Sequence, residues 1–460
     1  MYGLIFNATL IILAILLMII NVDFQTVLYV VFIYFFCFFL IFVFDFKYLN
    51  LNLKIYNIIF SLGSIYISFC YGYMTENSYD YLLSPDISAY FLPKTIDFLQ
   101  YNSLIKAEYY NWVDFDFFGR NHVGFFSYLI PFIYLADYFD SNYYVSMQYS
   151  TLIISCFSGV LISYLLRVNG IGIYNSYIYS ILICLFSTIF IYSTQLLRDV
   201  LVMFFYLLGI YYTFNKKVTV LGLLWICLII FYSCTLRIET GLFLMVLIPI
   251  YFLTSYHEGK LSSRLIFFGT FSFLIFLIFL IINQKIILEV LSNNSDIYLE
   301  SDKGSGVVGT LQKIPLIGSV LSIFYNAAQP IPFWYVLDVP PSDNRPQIYN
   351  IMNFPFIAAS FLNWLVIFGI FTSIFFKKIR MKVYSNISKT LFYHLIAGLG
   401  FLYIQASVID QRRLLAYYVV FYILFFVIMK NINASEKKNI IVFSSISYML
   451  LHLVSSLLKI

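Results

Sequence analysis

Apolar residues in this chain fall into runs of about 18–20 positions separated by short polar connectors. At a 1.5 Å rise per residue, such runs match the ~30 Å hydrocarbon core of a bilayer. The pattern predicts helical spans at 2–20, 26–44, 55–72, 122–138, 144–165, 173–192, 197–214, 218–233, 240–255, 264–284, 355–376, 388–407, 413–429 and 439–457. Two interruptions are much longer than the other connectors, 73–121 and 285–354. The expected fold is therefore all-α: a polytopic integral membrane protein, residues 1–460 forming one transmembrane domain with 13 or 14 spanning helices. The N-terminus lacks a basic region and a small-residue cleavage site, so its apolar run is expected to be a retained membrane helix.

Composition excludes the commonest alternatives. Hydrophobic residues make up 62% and charged residues 11%, too little charge to cover a soluble surface and too little polarity for a disordered chain. The net charge of +5 is spread thinly, with no basic block for nucleic acid. The six cysteines lie in apolar runs without metal-type spacing and read as packing residues. The four histidines fit no metal motif, and there is no phosphate-binding or dinucleotide-binding glycine loop, so no metal and no cofactor is expected. Lys outnumbers Arg 18 to 9, and Phe, Tyr, Ile and Asn are also abundant. That bias makes each Arg informative and makes the 21% aromatic content less so.

Charge orients the spans. Lys47, Lys54, Arg167, Lys216, Lys217, Lys260, Arg264, the group from Lys377 to Lys389, Lys430, Lys437 and Lys438 occupy short connectors and read as cytoplasmic. Segment 73–121 holds seven acids against Lys94, Lys106 and Arg120, and 285–354 holds six against four cations, so both read as extracytoplasmic loops. With 73–121 outside and Arg167 inside, spans 122–138 and 144–165 cannot both be full crossings. The first is short and contains Pro131, and is expected to be a partial or tilted crossing. In the second loop the apolar stretch 307–337 is broken by Pro315, Pro330 and Pro332, which predicts an interfacial or re-entrant segment.

Against this background, ionisable residues at helix ends stand out, since charge within a span is costly. Three outer turns carry them: Arg198-Asp199, Arg237 with Glu239, and Asp410-Gln-Arg412-Arg413. Arg237 and Gly241 are four apart, so the glycine leaves room beside the guanidinium for a ligand or for another backbone. Each turn also admits a plain structural reading: an edge Arg reaching headgroups, a polar turn, or cations neutralised by the acidic loops. Taken together, Arg at one membrane face suits a diphosphate whose lipid tail lies in the bilayer, because the planar guanidinium pairs bidentately with phosphate and stays charged. The first loop supplies acids for general-base chemistry. Asp86 is the preferred one, with Tyr90 one turn later, and the loop's aromatics suit either sugar faces or the membrane interface.

Several passages resemble the O-antigen polymerase (Wzy-type) family, and more broadly the polyprenyl-phosphate-sugar-dependent membrane glycosyltransferases. They are SPDISAYFLPKTIDFLQ at 84–100, STQLLRDVLVMFFYLLGIYY at 193–212, LRIETGLFLMVL at 236–247, QPIPFWYVL at 329–337 and DQRRLLAYYVVFYILFF at 410–426. Arg198 and Gly209 alone have the R-x10-G spacing associated with that family's outer loops, and Gly209 falls inside a helix. The resemblance implies a bacterial inner-membrane enzyme. It would join polyprenyl-diphosphate-linked oligosaccharide repeat units at the periplasmic face into a surface polysaccharide, with a chain-length regulator as a candidate partner. In that reading Asp86, Arg198 and Arg237 are catalytic, and Arg412, Arg413, Asp199, Glu239, Tyr90 and Arg120 contact substrate. Two other readings use the same features: a transferase taking a sugar from a polyprenyl monophosphate, and a flippase for lipid-linked repeat units.

The orientation is directly testable. With the native cysteines replaced, a cysteine at Lys378 is expected to react with an impermeant maleimide only from the cytoplasmic side. One at Asp302 is expected to react only from the opposite side. The reverse labelling pattern would overturn the charge assignment.

Overall fold

The computed structural model of the protein describes residues 2–41, 46–76, 123–214, 219–237, 241, 243–257, 317–328, 354–404 and 411–458. The described residues are helical and contain no strand: α1 (Tyr2–Asn21), α2 (Phe24–Leu40), α3 (Leu49–Glu76), α4 (Val123–Tyr138), α5 (Tyr143–Val168), α6 (Ile173–Phe186), α7 (Thr188–Ser193), α8 (Arg198–Thr213), α9 (Val220–Leu236), α10 (Leu247–His257), α11 (Ile317–Ala328), α12 (Phe354–Phe375), α13 (Lys377–Tyr384), α14 (Lys389–Ile404), α15 (Gln411–Asn431) and α16 (Ala434–Leu458). Five of them, within 49–76, 143–168, 355–375, 414–431 and 434–457, are individually long and apolar enough to cross a bilayer, and shorter apolar helices accompany them. The protein is an all-α polytopic membrane protein. The predicted span 264–284 lies outside the described residues.

Two helices form the axis. Tyr144 through Ser163 of α5 and Leu414 through Phe425 of α15 are buried at every position. α5 packs on α2, α3, α4, α6, α7, α8 and α15, and α15 packs on α8, α12 and α14. In lipid there is no hydrophobic gain from helix pairing, so close approach and small residues carry it. At Gly159 an added Cβ would lie 2.6 Å from Ile59 Cδ1 and 3.0 Å from Ile55 Cγ2 of α3. Serines on the same helix turn their hydroxyls back onto its own carbonyls, Ser150 to Met147 and Ser158 to Ile154. The outer helices show the opposite pattern. Phe24, Leu28, Phe32, Phe35, Phe36 and Phe39 form an exposed apolar stripe down α2, as expected of a lipid-facing side.

Contacts between helix ends sort the charges. Arg167 at the end of α5 lies over the Tyr48 ring, at 4.2 Å. Asn169 meets Ser388 at the start of α14, and Lys382 bonds Glu436 at the start of α16. Lys47, Arg167, Lys377, Lys382, Lys389, Lys430 and Lys437 thus gather at one end, the basic end. At the opposite end, where α3 runs towards the first long loop, Asn142 Nδ2 donates to Tyr71 and its backbone N–H donates to Thr26. Asp23, Glu76, Asp137 and Asp140 belong to this loop end. The two turns flanking α5 close by the same device, a left-handed residue after a helix with a six-to-one bond. At the loop end Asp140 has φ 51° and Ser141 donates to the Ala136 carbonyl; at the basic end Gly170 has φ 80° and Ile171 donates to the Leu166 carbonyl.

α4 resolves the parity problem. It ends in the loop-end turn, yet Tyr128 donates to the Ser150 carbonyl, and Gly124 meets the last turn of α9 through Tyr232. Ser150 is seven residues, or about 10 Å, along α5 from its start at Tyr143. α4 therefore starts within the bundle and rises to the loop end without crossing, the partial one of the two alternatives, partial or tilted, that the sequence left open. α11 is short as well. Its Ala328 carbonyl accepts from Ser360, and Phe324 packs on Trp364 and Phe371, so it lies alongside α12. Two predicted spans are corrected. Span 173–192 divides at Ser187, whose extended backbone and hydroxyl cap start α7. Span 240–255 is interrupted by a turn at Met245 and Val246 before the regular helix that begins at Leu247.

Filling the closest helix approach tests the packing. Gly159→Leu is expected to destabilise the protein by about 1–3 kcal/mol, the usual cost of overpacking. Gly172→Leu, at a position with open space, is expected to melt at the wild-type temperature in the same detergent.

Candidate functional site: a recessed arginine–aspartate cluster

Irregular backbone at membrane depth must be covered by protein or face a wet cavity. Two such breaks lie side by side in the loop-end half of the bundle. The first is 194–197, where Thr194, Gln195, Leu196 and Leu197 are all buried. Its depth follows from Thr151, whose hydroxyl donates to the Gln195 carbonyl at 2.7 Å. Thr151 lies eight residues into α5, about 12 Å below that helix's loop end. The second break begins at Arg237, which takes an extended conformation (φ −159°, ψ 114°) and ends α9.

These breaks bring two of the three predicted arginine turns together. Arg237 Nη1 donates to Asp199 Oδ1 at 2.6 Å, with side-chain exposures of 11% and 7%. Arg198 Nη1 donates to the Leu236 carbonyl at 3.3 Å. Adjacent helical residues point about 100° apart, yet Arg198 and Asp199 both reach the end of α9, each to a different partner. Helix electrostatics favour the exchange. Asp199 sits in the first turn of α8, where exposed amides favour an anion; Arg237 caps the C-terminus of α9, and Arg198, from the start of α8, extends its guanidinium to the same end, where unpaired carbonyls favour cations. The edge-snorkelling reading of Arg198 is replaced by a half-buried guanidinium bonded to protein.

Gly241 shapes the second break. Its N–H donates to the Arg237 carbonyl, and an added Cβ would lie 2.5 Å from the Cys234 nitrogen and 2.6 Å from its Cα. The space beside Arg237 that glycine was expected to leave is therefore taken by backbone. α4, into which the first loop runs, begins against the same turn, where a Cβ on Gly124 would lie 2.1 Å from Thr235 Oγ1. Gly209, at the R-x10-G spacing from Arg198, packs on Leu247, so its role in the structure is close helix packing.

The third predicted turn arrives through α15. Arg412 and Arg413 occupy its first turn. One turn further, Tyr417 stacks on Phe401 at 3.6 Å between ring centres and meets Phe243 at 4.7 Å and Tyr206 at 6.0 Å. Tyr206 lies eight residues, about 12 Å, along α8 from Arg198 towards the basic end, which puts this aromatic group below the Arg237–Asp199 pair. Sequence reading missed it because aromatic residues are abundant throughout the chain. Asp86, Tyr90, Arg120 and Glu239 lie outside the described residues.

Comparison with family models, with curated proteins and with solved structures finds no match. The class stands on architecture alone: a polytopic helical membrane protein with a charged cluster recessed below one end.

A double-mutant cycle reads the strength of the pair. Removing one partner of a buried ion pair commonly costs about 3–5 kcal/mol, because the other charge is stranded. Asp199→Ala and Arg237→Ala are each expected to lower the melting temperature clearly. Asp199→Asn combined with Arg237→Gln should recover part of the loss.

Proposed function

We propose that the chain is an integral-membrane glycosyltransferase that polymerises polyprenyl-diphosphate-linked repeat units into a surface polysaccharide at the periplasmic face of a bacterial inner membrane. The observation that carries this reading is the joining of the Arg198 and Arg237 turns at a depth of about 12 Å below the loop end of α5. Guanidinium groups recessed within the bundle suit a diphosphate whose lipid tail stays in the bilayer, and they are preorganised by Asp199 and the Leu236 carbonyl rather than left to solvent. The resemblance of the arginine turns to those of the polymerase family points the same way.

In the proposed reaction the acceptor sugar hydroxyl attacks the anomeric carbon of the donor. The bond from that carbon to the diphosphate oxygen breaks, and the polyprenyl diphosphate leaves with the electron pair. Asp86, or another first-loop acid, takes the hydroxyl proton. Arg198 and Arg237, with Arg412 and Arg413 from the start of α15, stabilise the negative charge that grows on the leaving diphosphate. Fixed donors in a site of low dielectric are effective in that role. Asp199 and Glu239 hold the arginines or the sugar hydroxyls, and Tyr90 and Arg120 contact the bound saccharide.

Cells carrying Arg198→Ala, Arg237→Ala or Arg412→Ala are expected to keep the protein in the membrane and lose long polysaccharide chains, with single repeat units accumulating on the outer side. Wild-type chain lengths in all three would overturn the arginine-cage reading. Repeat units trapped on the cytoplasmic side would replace the polymerase by a flippase.

A further inference from the structure

The most strongly charged described surface lies at the basic end, away from the arginine cluster. α12 stops at Phe376, whose backbone is extended, and the chain continues as the short helix α13. Ile379 and Val383 of α13 are four apart and turn inward, with Val383 fully buried. Lys377, Lys378, Arg380 and Met381 occupy the other arc and are exposed. Arg380 Nη1 reaches the Ile374 carbonyl at 3.5 Å, which keeps the helix against the end of α12.

Lys382 ties α13 to the turn before α16. Its Nζ donates to Glu436 Oε1 at 2.9 Å and to Asn433 Oδ1 at 3.2 Å. Glu436 is the only acid at the basic end among the described residues, and it is engaged by Lys382 and by the Asn433 N–H. Against Lys377, Lys378, Arg380, Lys430, Lys437 and Lys438 the described residues of this end set one carboxylate, Glu436, which is bonded by Lys382 and also feels Lys378, so the cations remain in clear excess.

Apolar groups are mixed with those cations. Phe375 is 72% exposed, Phe376 61% and Met381 65%. Exposed rings beside Lys and Arg, at the point where a spanning helix ends, fit the boundary between acyl chains and headgroups rather than bulk water. We propose that α13 and the turn before α16 form a docking site for anionic phospholipid headgroups in the leaflet at the basic end. Lys377, Lys378 and Arg380 would bind the phosphates, and Phe375, Phe376 and Met381 would enter the acyl boundary. Charge complementarity argues for a lipid surface, and the exposed rings argue against a purely polar polyanion. The proposal uses none of the residues assigned to sugar transfer.

The test uses the full chain in nanodiscs of phosphatidylcholine alone or with a quarter phosphatidylglycerol. Each surface cation contributes about fivefold to partitioning onto an anionic surface. In native mass spectrometry, the wild-type protein is expected to retain phosphatidylglycerol in preference to phosphatidylcholine. The variant K377Q/K378Q/R380Q should retain it at least about fivefold less, while melting normally in phosphatidylcholine. Raising the salt should release the retained lipid from the unmodified protein, a measurement that needs no variant to fold. Equal retention by wild type and variant, or retention indifferent to salt, overturns the proposal.

Discussion

In hydrocarbon a peptide group has no water to bond, so the chain must satisfy its backbone within itself. That constraint organises everything described above. It makes the spans helical, and it confines each interruption to a place that other protein covers. The interruptions at 194–197 and from Arg237 onward lie against the central helix α5 and against each other. A helix end inside the bundle leaves unpaired amides or carbonyls, and those groups invite charge of the opposite sign. Asp199 at the start of α8, Arg237 at the end of α9, and the Arg198 guanidinium that reaches the Leu236 carbonyl answer that demand.

The same logic separates the two charged regions. At the basic end, cations sit on an exposed surface at the limits of the spans, where screening and headgroups accommodate them. In the recessed cluster, charge lies within protein and is held by an ion pair and a carbonyl. A surface pair such as Lys382 with Glu436 contributes modestly and mainly fixes one turn against another. A buried pair such as Arg237 with Asp199 has larger consequences when one partner is lost, and it fixes where the guanidinium points. A substrate anion entering there would meet an arginine already oriented by a carboxylate.

Close packing gives the cluster its position. Gly159 lets α3 approach α5, Gly209 lets α10 approach α8, and Gly241 lets the chain fold over the last turn of α9. Each substitutes a short distance for a side chain, which is how helices associate when lipid is as apolar as they are. The stacked Tyr417 and Phe401, with Phe243 and Tyr206, then close the space beneath.

Much of this was legible in the residues alone. Apolar runs and connector charge determined the helical class, the approximate limits of most spans and the gathering of cations at one end, because span length and charge cost are properties of the chain and the bilayer, whereas they left 122–138 as either a partial or a tilted crossing. Arg198, Arg237 and Asp199 were legible as candidates because charge is scarce within such runs. Which of them pair was not legible. Asp199 and Arg237 are 38 residues apart, and helix spacing gives only the angle between neighbours on one helix. The tertiary structure decided that both residues of the Arg198-Asp199 turn address the end of α9, that the room beside Gly241 is filled by backbone, and that span 173–192 breaks at Ser187. Those outcomes depend on how deeply each helix sits against α5, a quantity set by packing between distant segments.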